Sequence, residues 1–71
     1  MPKLPHISGR EAVRALQNLG FEVARQKGSH IVMKRGSDGC VVPNHHEIKT
    51  GTLAGVLRQA GVSAEEFIAA L

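Results

Sequence analysis

Residues 21–43, FEVARQKGSHIVMKRGSDGCVVP, have the pattern of three short β-strands joined by two tight turns. The runs with strand character are Phe21–Gln26, His30–Lys34 and Cys40–Val42. The turns are Lys27–Ser29 and Arg35–Gly39, both rich in residues that tolerate a positive φ. Because turns this short join antiparallel neighbours, the segment predicts an antiparallel three-stranded meander.

Helical signals flank this segment on both sides. Ser8 and Glu11 form a capping box that predicts a first helix over about residues 9–19, and Thr50 is a good N-cap for a second helix that Gly61 ends. Ser63 and Glu66 predict a short last helix. Apolar side chains follow at helical spacing in each: Ala12, Val13, Leu16, Leu19; Leu53, Val56, Leu57, Ala60; Phe67, Ile68, Leu71.

The predicted fold class is therefore α+β, a single domain over residues 1–71 in the order α-β-β-β-α with a short C-terminal helix. Double-stranded RNA-binding domains have the same element order, although folds are reused for many functions. The apolar faces of two helices need one apolar face of the sheet to pack against. Strand alternation predicts an inward set and an outward set: Phe21, Val23, Ile31, Met33; and Glu22, Ala24, Gln26, His30, Val32, Lys34.

Charge is concentrated in the middle of the chain. The net charge is +3, and the segment from Val23 to Ser37 contains four bases and no acid: Arg25, Lys27, Lys34, Arg35. This distribution favours a polyanionic partner, and an ordinary solvated surface is the alternative. Phe21 and Phe67 are the sole aromatic side chains, which argues against a stacking platform for bases.

Size and composition limit the other function classes. A chain of 71 residues has no room for a deep cavity, so an open surface for a polymer is expected rather than a pocket for a metabolite. The single cysteine, Cys40, fits a reducing compartment. We expect a cytoplasmic protein without a membrane span or signal peptide.

His30 is the first candidate for chemistry. Histidine exchanges protons near neutral pH, and RNA cleavage by the ribose 2′-hydroxyl needs such a base and an acid. Lys27, Lys34 and the amides of Gly28 and Ser29 could bind the phosphate. Judged from the residues alone, a hairpin histidine without a catalytic role is the commoner case.

The loop before the second helix supplies further candidates. His45 or His46 could be the partner acid, although a solvated loop is the simpler interpretation. Lys49 and Thr50 at the start of the helix could bind a phosphate as well as cap the helix. No ligand spacing is present, so we expect neither a metal nor another cofactor. Ser29 and Cys40 lack the surroundings of nucleophiles and are expected to be structural, and His6 is expected to be exposed.

Three blocks of the sequence together resemble the HicA-like toxin family, also called YcfA-like. They are Ser8–Glu11 leading to Leu19–Phe21; Gln26–His30, with a glycine-serine-histidine motif; and Val41–His45, Gly51–Leu53, Leu57–Ser63 and Glu65–Phe67. The resemblance implies a fold like the double-stranded RNA-binding domain and an endoribonuclease that cuts mRNA. It also implies a HicB-like antitoxin as partner and His30 as the catalytic residue. His45 recurs in the family, whereas Ile31 and Ala54 replace a second histidine and a basic residue of many relatives.

Two other functions stay open at this point. The chain could be a non-catalytic RNA-binding module in which His30 is only a contact residue. It could also be a protein-interaction domain whose basic face docks an acidic partner.

Overall fold

The computed structural model of the protein describes residues 3–71 and confirms the predicted order of elements. The elements are α1 (Gly9–Asn18), β1 (Glu22–Lys27), β2 (His30–Arg35), β3 (Asp38–Pro43), α2 (Thr50–Ala60) and α3 (Ala64–Ala70). The α+β arrangement with helices against one antiparallel sheet is thus the one that the sequence pattern predicts.

The three strands form one antiparallel sheet in the order β1-β2-β3. Both connections are two-residue turns that begin with a glycine of positive φ, Gly28 at 60° and Gly36 at 59°. An added Cβ would meet no atom within 4 Å at either position, so the backbone conformation and not the available space requires glycine. Both turns are shorter than predicted: Lys27, Arg35, Asp38 and Gly39 belong to the strands, because a two-residue turn lets strand pairing continue up to it.

A β-bulge in β1 changes which side chains share a face. Val23 pairs with Met33 but Arg25 pairs with Val32, so Ala24 is the extra residue. Gln26 then pairs with the buried Ile31. The prediction that Gln26 lies on the outward face is therefore wrong, because the extra residue at Ala24 inverts the alternation of the residues that follow it.

Val23 pairs with the buried Met33 and so points inward as predicted, but its side chain is not buried. Phe21, Ile31 and Met33 are buried as predicted, whereas Val23 is 43% exposed. The cause is the position of β1 at the edge of the sheet: α2 packs mainly against β3, at the opposite edge. An inward direction on an edge strand thus does not bury a side chain unless a helix reaches over it.

The helices bury the stripes that their spacing predicts, with small shifts. All four apolar residues of the predicted α2 stripe are buried. In α1, Ala12 and Leu16 are buried, while Val13 and Leu19 lie at the margin of the core.

Capping boxes at Ser8–Glu11 and Ser63–Glu66 begin α1 and α3. Gly61, at φ 71°, ends α2. In α3, Phe67 is fully buried but Leu71, expected to pack, is 53% exposed because it follows the last helical turn.

The N-terminal arm is joined to the loop before α2. Ile7 and Ile48 form an antiparallel bridge in which the Ile48 amide donates to the Ile7 carbonyl at 2.7 Å, and both side chains are buried. The extended backbone continues from Ile48 through Lys49, at φ -61° and ψ 141°, which is the N-cap of α2 and makes no side-chain hydrogen bond there. The prediction of Thr50 as the N-cap is therefore wrong: Thr50 is the first helical residue.

No helix between residues 3 and 71 combines the length and the apolar character that crossing a bilayer requires.

Candidate functional site

The sheet has one face turned away from the helices, which we call the open face. Its side chains follow from the strand pairing and the burial of their neighbours: Glu22, Arg25, Lys27, His30, Val32, Lys34, Val41. The bulge adds Arg25 and Lys27 to this face, which regular alternation would have directed to the helices. The open face therefore carries more positive charge than the sequence pattern predicts.

His30 lies at the end of the open face where β2 begins. It is exposed and pairs with Lys27 on β1 and with Pro43 on β3. Directly opposed residues on one face have Cβ atoms about 4.5–5.5 Å apart, so the imidazole is a close neighbour of the Lys27 side chain. The arrangement presents a proton-exchanging ring beside a cation on an accessible surface.

Lys34 is on the same face but is separated from His30. Three residues of β2 lie between them, and their Cα atoms are about 13 Å apart. Lys34 is opposed by Glu22 across β1 and β2, which compensates part of its charge. Lys34 and His30 therefore lie near opposite ends of β2 on the same face.

The turn before His30 is connected to the loop after β3. The Asn44 amide donates to the Ser29 carbonyl at 2.6 Å, and the Gly9 amide donates to the His45 carbonyl at 2.8 Å. Because His30 pairs with Pro43, the Cα atoms of His30 and His45 can be at most about 13 Å apart. The tertiary structure thus places His45, which is exposed, in the neighbourhood of His30.

An open pocket of about 650 Å³ lies between the start of α1 and this loop. It is lined by Ser8, Arg10, Asn44, His45 and His46. His30 does not line it, although Asn44 joins the pocket to the turn that precedes His30. His45 and His46 are candidates from the sequence, whereas Arg10 is not, because nothing in the sequence shows that α1 starts beside this loop.

The remaining predicted residues are more dispersed. Gly28 and Ser29 are exposed in the β1–β2 turn, and the Gly28 carbonyl accepts from Gln26 Nε2 at 3.2 Å. Lys49 is exposed and Thr50 is half-buried at the start of α2. These two residues directly follow the buried Ile48. Within residues 3–71, no hydrogen bond joins either of them to Lys27–His30.

Arg35, one of the four bases of the central segment, is held by the fold. Its guanidinium carbon lies 4.5 Å from the centroid of the Phe21 ring, and Nη1 donates to the Leu19 carbonyl at 2.9 Å. Nη2 also lies 3.7 Å from Asp38 Oδ2. Arg35 therefore stabilises the fold on the side of the sheet that the helices cover, and it is not part of the open face.

Cys40 has the surroundings of a core residue. It is 4% exposed, and burial raises the pKa of its thiol above the ordinary value. A raised pKa lowers the thiolate fraction at neutral pH, which agrees with a structural residue and not a nucleophile. Across residues 3–71, no three His, Cys, Asp or Glu side chains cluster in a way that could hold a metal ion.

Comparison with known proteins identifies the family. The profile described as the HicA toxin of bacterial toxin-antitoxin systems matches residues 9–62, from α1 through α2. A comparison with curated proteins gives no significant match. Since the profile covers well over half of the chain and spans the whole sheet, the chain belongs to the HicA toxin family of bacterial toxin–antitoxin systems.

Proposed function

We propose that the chain is the toxin that cuts mRNA and thereby stops translation, with His30 as its catalytic residue. The observation that carries this proposal is the exposed His30 imidazole beside Lys27 on a basic open face, in a chain of the HicA toxin family. Such a face accepts a polyanionic strand without requiring a deep cavity.

The chemistry needs two proton transfers. A base removes the proton of a ribose 2′-hydroxyl, whose oxygen then attacks the adjacent phosphorus atom. The bond from phosphorus to the 5′-oxygen of the next nucleotide breaks, and an acid protonates that oxygen. His30 serves as one of these groups and His45 as its partner, which leaves a cyclic phosphate and a 5′-hydroxyl. The reaction as proposed requires no metal ion.

Positive groups stabilise the charge that grows on the phosphate oxygens. Lys27 is the strand partner of His30 and is assigned to the scissile phosphate, with the amides of Gly28 and Ser29 in the adjoining turn. Lys34, farther along β2, contacts a different phosphate of the strand, and Lys49 with Thr50 contacts another at the start of α2.

The family to which the chain belongs pairs each toxin with an antitoxin. We assign to this chain a HicB-like antitoxin that binds over the open face and excludes RNA. An acidic surface on that partner would complement the cations that flank His30.

A non-catalytic RNA-binding module is the second candidate. The α-β-β-β-α order, which it shares with double-stranded RNA-binding domains, favours it. This alternative keeps the salt-sensitive contacts of the open face but leaves bound RNA intact.

The test incubates purified wild-type protein, His30→Ala and the control His6→Ala with RNA in the presence of a chelator. Both histidines are exposed, so neither substitution should change stability by more than about 0.5 kcal/mol. We expect wild type and His6→Ala to cut the RNA, and His30→Ala to bind it without cutting. Cutting by His30→Ala rejects the catalytic assignment, binding without cutting by wild type supports the module, and loss of wild-type cutting in chelator rejects the metal-independent reaction.

A further inference from the structure

We propose that the pocket lined by Ser8, Arg10, Asn44, His45 and His46 is a second phosphate subsite, which binds a phosphate of the RNA strand adjacent to the one cleaved at His30. This inference rests on the proposed function and extends the RNA path from the sheet to the start of α1. Arg10 is the central residue, because a guanidinium donates two parallel hydrogen bonds to phosphate oxygens.

Glu11 and Glu47 adjoin lining residues of the pocket in sequence, and each carboxylate has another group beside it. The Glu11 carboxylate accepts from the Ser8 amide and the Ser8 hydroxyl, each at 3.1 Å. Glu47 Oε2 lies 3.9 Å from Nδ1 of His6, outside the pocket lining. No carboxylate lines the pocket, and Arg10 forms no ion pair within residues 3–71, which leaves its charge available to an anion.

The position of the pocket suits an RNA chain that continues beyond His30. Asn44 lines the pocket, and its amide is hydrogen bonded to the carbonyl of Ser29, the residue before His30. An RNA chain with one phosphate at His30 and Lys27 thus reaches the pocket by passing over the hydrogen bond between Asn44 and Ser29. His46 and Arg10 then contact the next phosphate, while His45 lies between the two positions.

The wall of the pocket is held in place by close packing. Gly9 lies directly against Pro43 and Asn44, and its amide donates to the His45 carbonyl at 2.8 Å. A Cβ added at Gly9 would lie 2.7 Å from the Asn44 Cα atom. Because the start of α1 cannot move away without losing these contacts, Arg10 keeps its place relative to the loop.

The test measures binding of a fully 2′-O-methylated RNA, which cannot be cleaved by its own hydroxyl, at several salt concentrations. Arg10→Ala is compared with Arg14→Ala, which removes the same charge from an exposed position one turn farther along α1 and outside this pocket. We expect Arg10→Ala to weaken binding about five- to tenfold. Its salt slope should fall by about 0.7, the contribution of one contact to a single strand. Arg14→Ala should change binding less than twofold.

A dinucleotide with one phosphodiester provides the second measurement. It has no phosphate for the pocket once its single phosphate lies at His30, so Arg10→Ala should bind it as the wild type does. Equal effects of Arg10→Ala and Arg14→Ala on the longer RNA would overturn the subsite while RNA cleavage by the wild type stands. Absence of RNA binding and cleavage by the wild type would overturn the proposed function and the subsite together. If Arg10→Ala weakened only antitoxin binding, the pocket would belong to that partner and the subsite would be rejected.

Discussion

The amide nitrogen of Asn44 lies 2.6 Å from the carbonyl oxygen of Ser29. This hydrogen bond joins the turn that precedes His30 to the loop that contains His45, although 15 residues of sequence separate the two histidines. The bond extends the β2–β3 pairing beyond Pro43, the last residue of β3, so the loop continues the sheet instead of leaving it.

This connection predicts a sharp contrast in amide hydrogen exchange within the loop. The amides of Asn44 and Ile48 should exchange at least an order of magnitude more slowly than those of His46 and Glu47. The first two donate to backbone carbonyls, whereas the latter two donate to no protein group between residues 3 and 71. NMR exchange measurements on the free protein check this, and uniformly fast exchange across residues 44–48 would contradict the connection.

Gly9→Ala should destabilise the protein by about 1–3 kcal/mol, because the new methyl group would overlap Pro43 and Asn44. Gly55→Ala is the matched control: this half-buried glycine lies inside α2 and an added Cβ meets nothing within 4 Å. It should gain about 0.5–1 kcal/mol from helix propensity. Urea unfolding of both variants measures the difference, and equal stabilities would show that the α1–loop contact is loose.

Arg35→Ala should cost about 1–3 kcal/mol of stability through the lost hydrogen bond to Leu19 and the lost contact with the Phe21 ring. It should leave the salt dependence of RNA binding nearly unchanged. Arg25→Ala, on the open face, should do the reverse, with little loss of stability and a smaller salt slope. Thermal unfolding and RNA titration of the two variants separate the roles, and a reduced slope for Arg35→Ala would place that cation at the RNA.

Glu66 should stabilise the protein at neutral pH but not in acid. The hydrogen bond from the Ser63 amide to its carboxylate, at 3.1 Å, holds the pKa of Glu66 below the ordinary value, with smaller effects of the Ser63 hydroxyl and the Arg35 charge. A lowered folded-state pKa means that this contribution is complete above the unfolded-state pKa and is lost as the pH falls through the folded-state value. Glu66→Gln should therefore lower Tm at neutral pH, and the difference from wild type should vanish in acid. Glu65→Gln in the same first turn is the control, and a difference that persists in acid would contradict the linkage.

The predicted elements and the observed ones agree where local rules decide them. The capping boxes at Ser8 and Ser63, the glycine turns at Gly28 and Gly36, and the α2 stripe all depend on residues a few positions apart. The errors occur where distant segments meet. Val23 is exposed because it lies on the edge strand opposite the edge that α2 covers, and the N-cap of α2 is Lys49, next to Ile48, which pairs with the distant Ile7.

Some features of the candidate site are visible in the sequence, and others are set by the tertiary structure. The Gly28–Ser29–His30 motif and the surrounding bases are visible in the sequence, and so is the family resemblance that the profile match confirms. The bulge at Ala24 is not visible, and it transfers Arg25 and Lys27 to the face of His30. The neighbourhood of Arg10, His45 and His46 is likewise absent from any sequence pattern.

By itself, the sequence determined the number and order of the helices and strands and the capping boxes that begin α1 and α3, because backbone preferences, capping groups and side-chain periods act over a few residues. Only the tertiary structure decided which cations share a surface with His30 and that the loop of His45 lies beside it. Those relations depend on strand register and on contacts between segments that lie far apart in the chain, and no local preference specifies them.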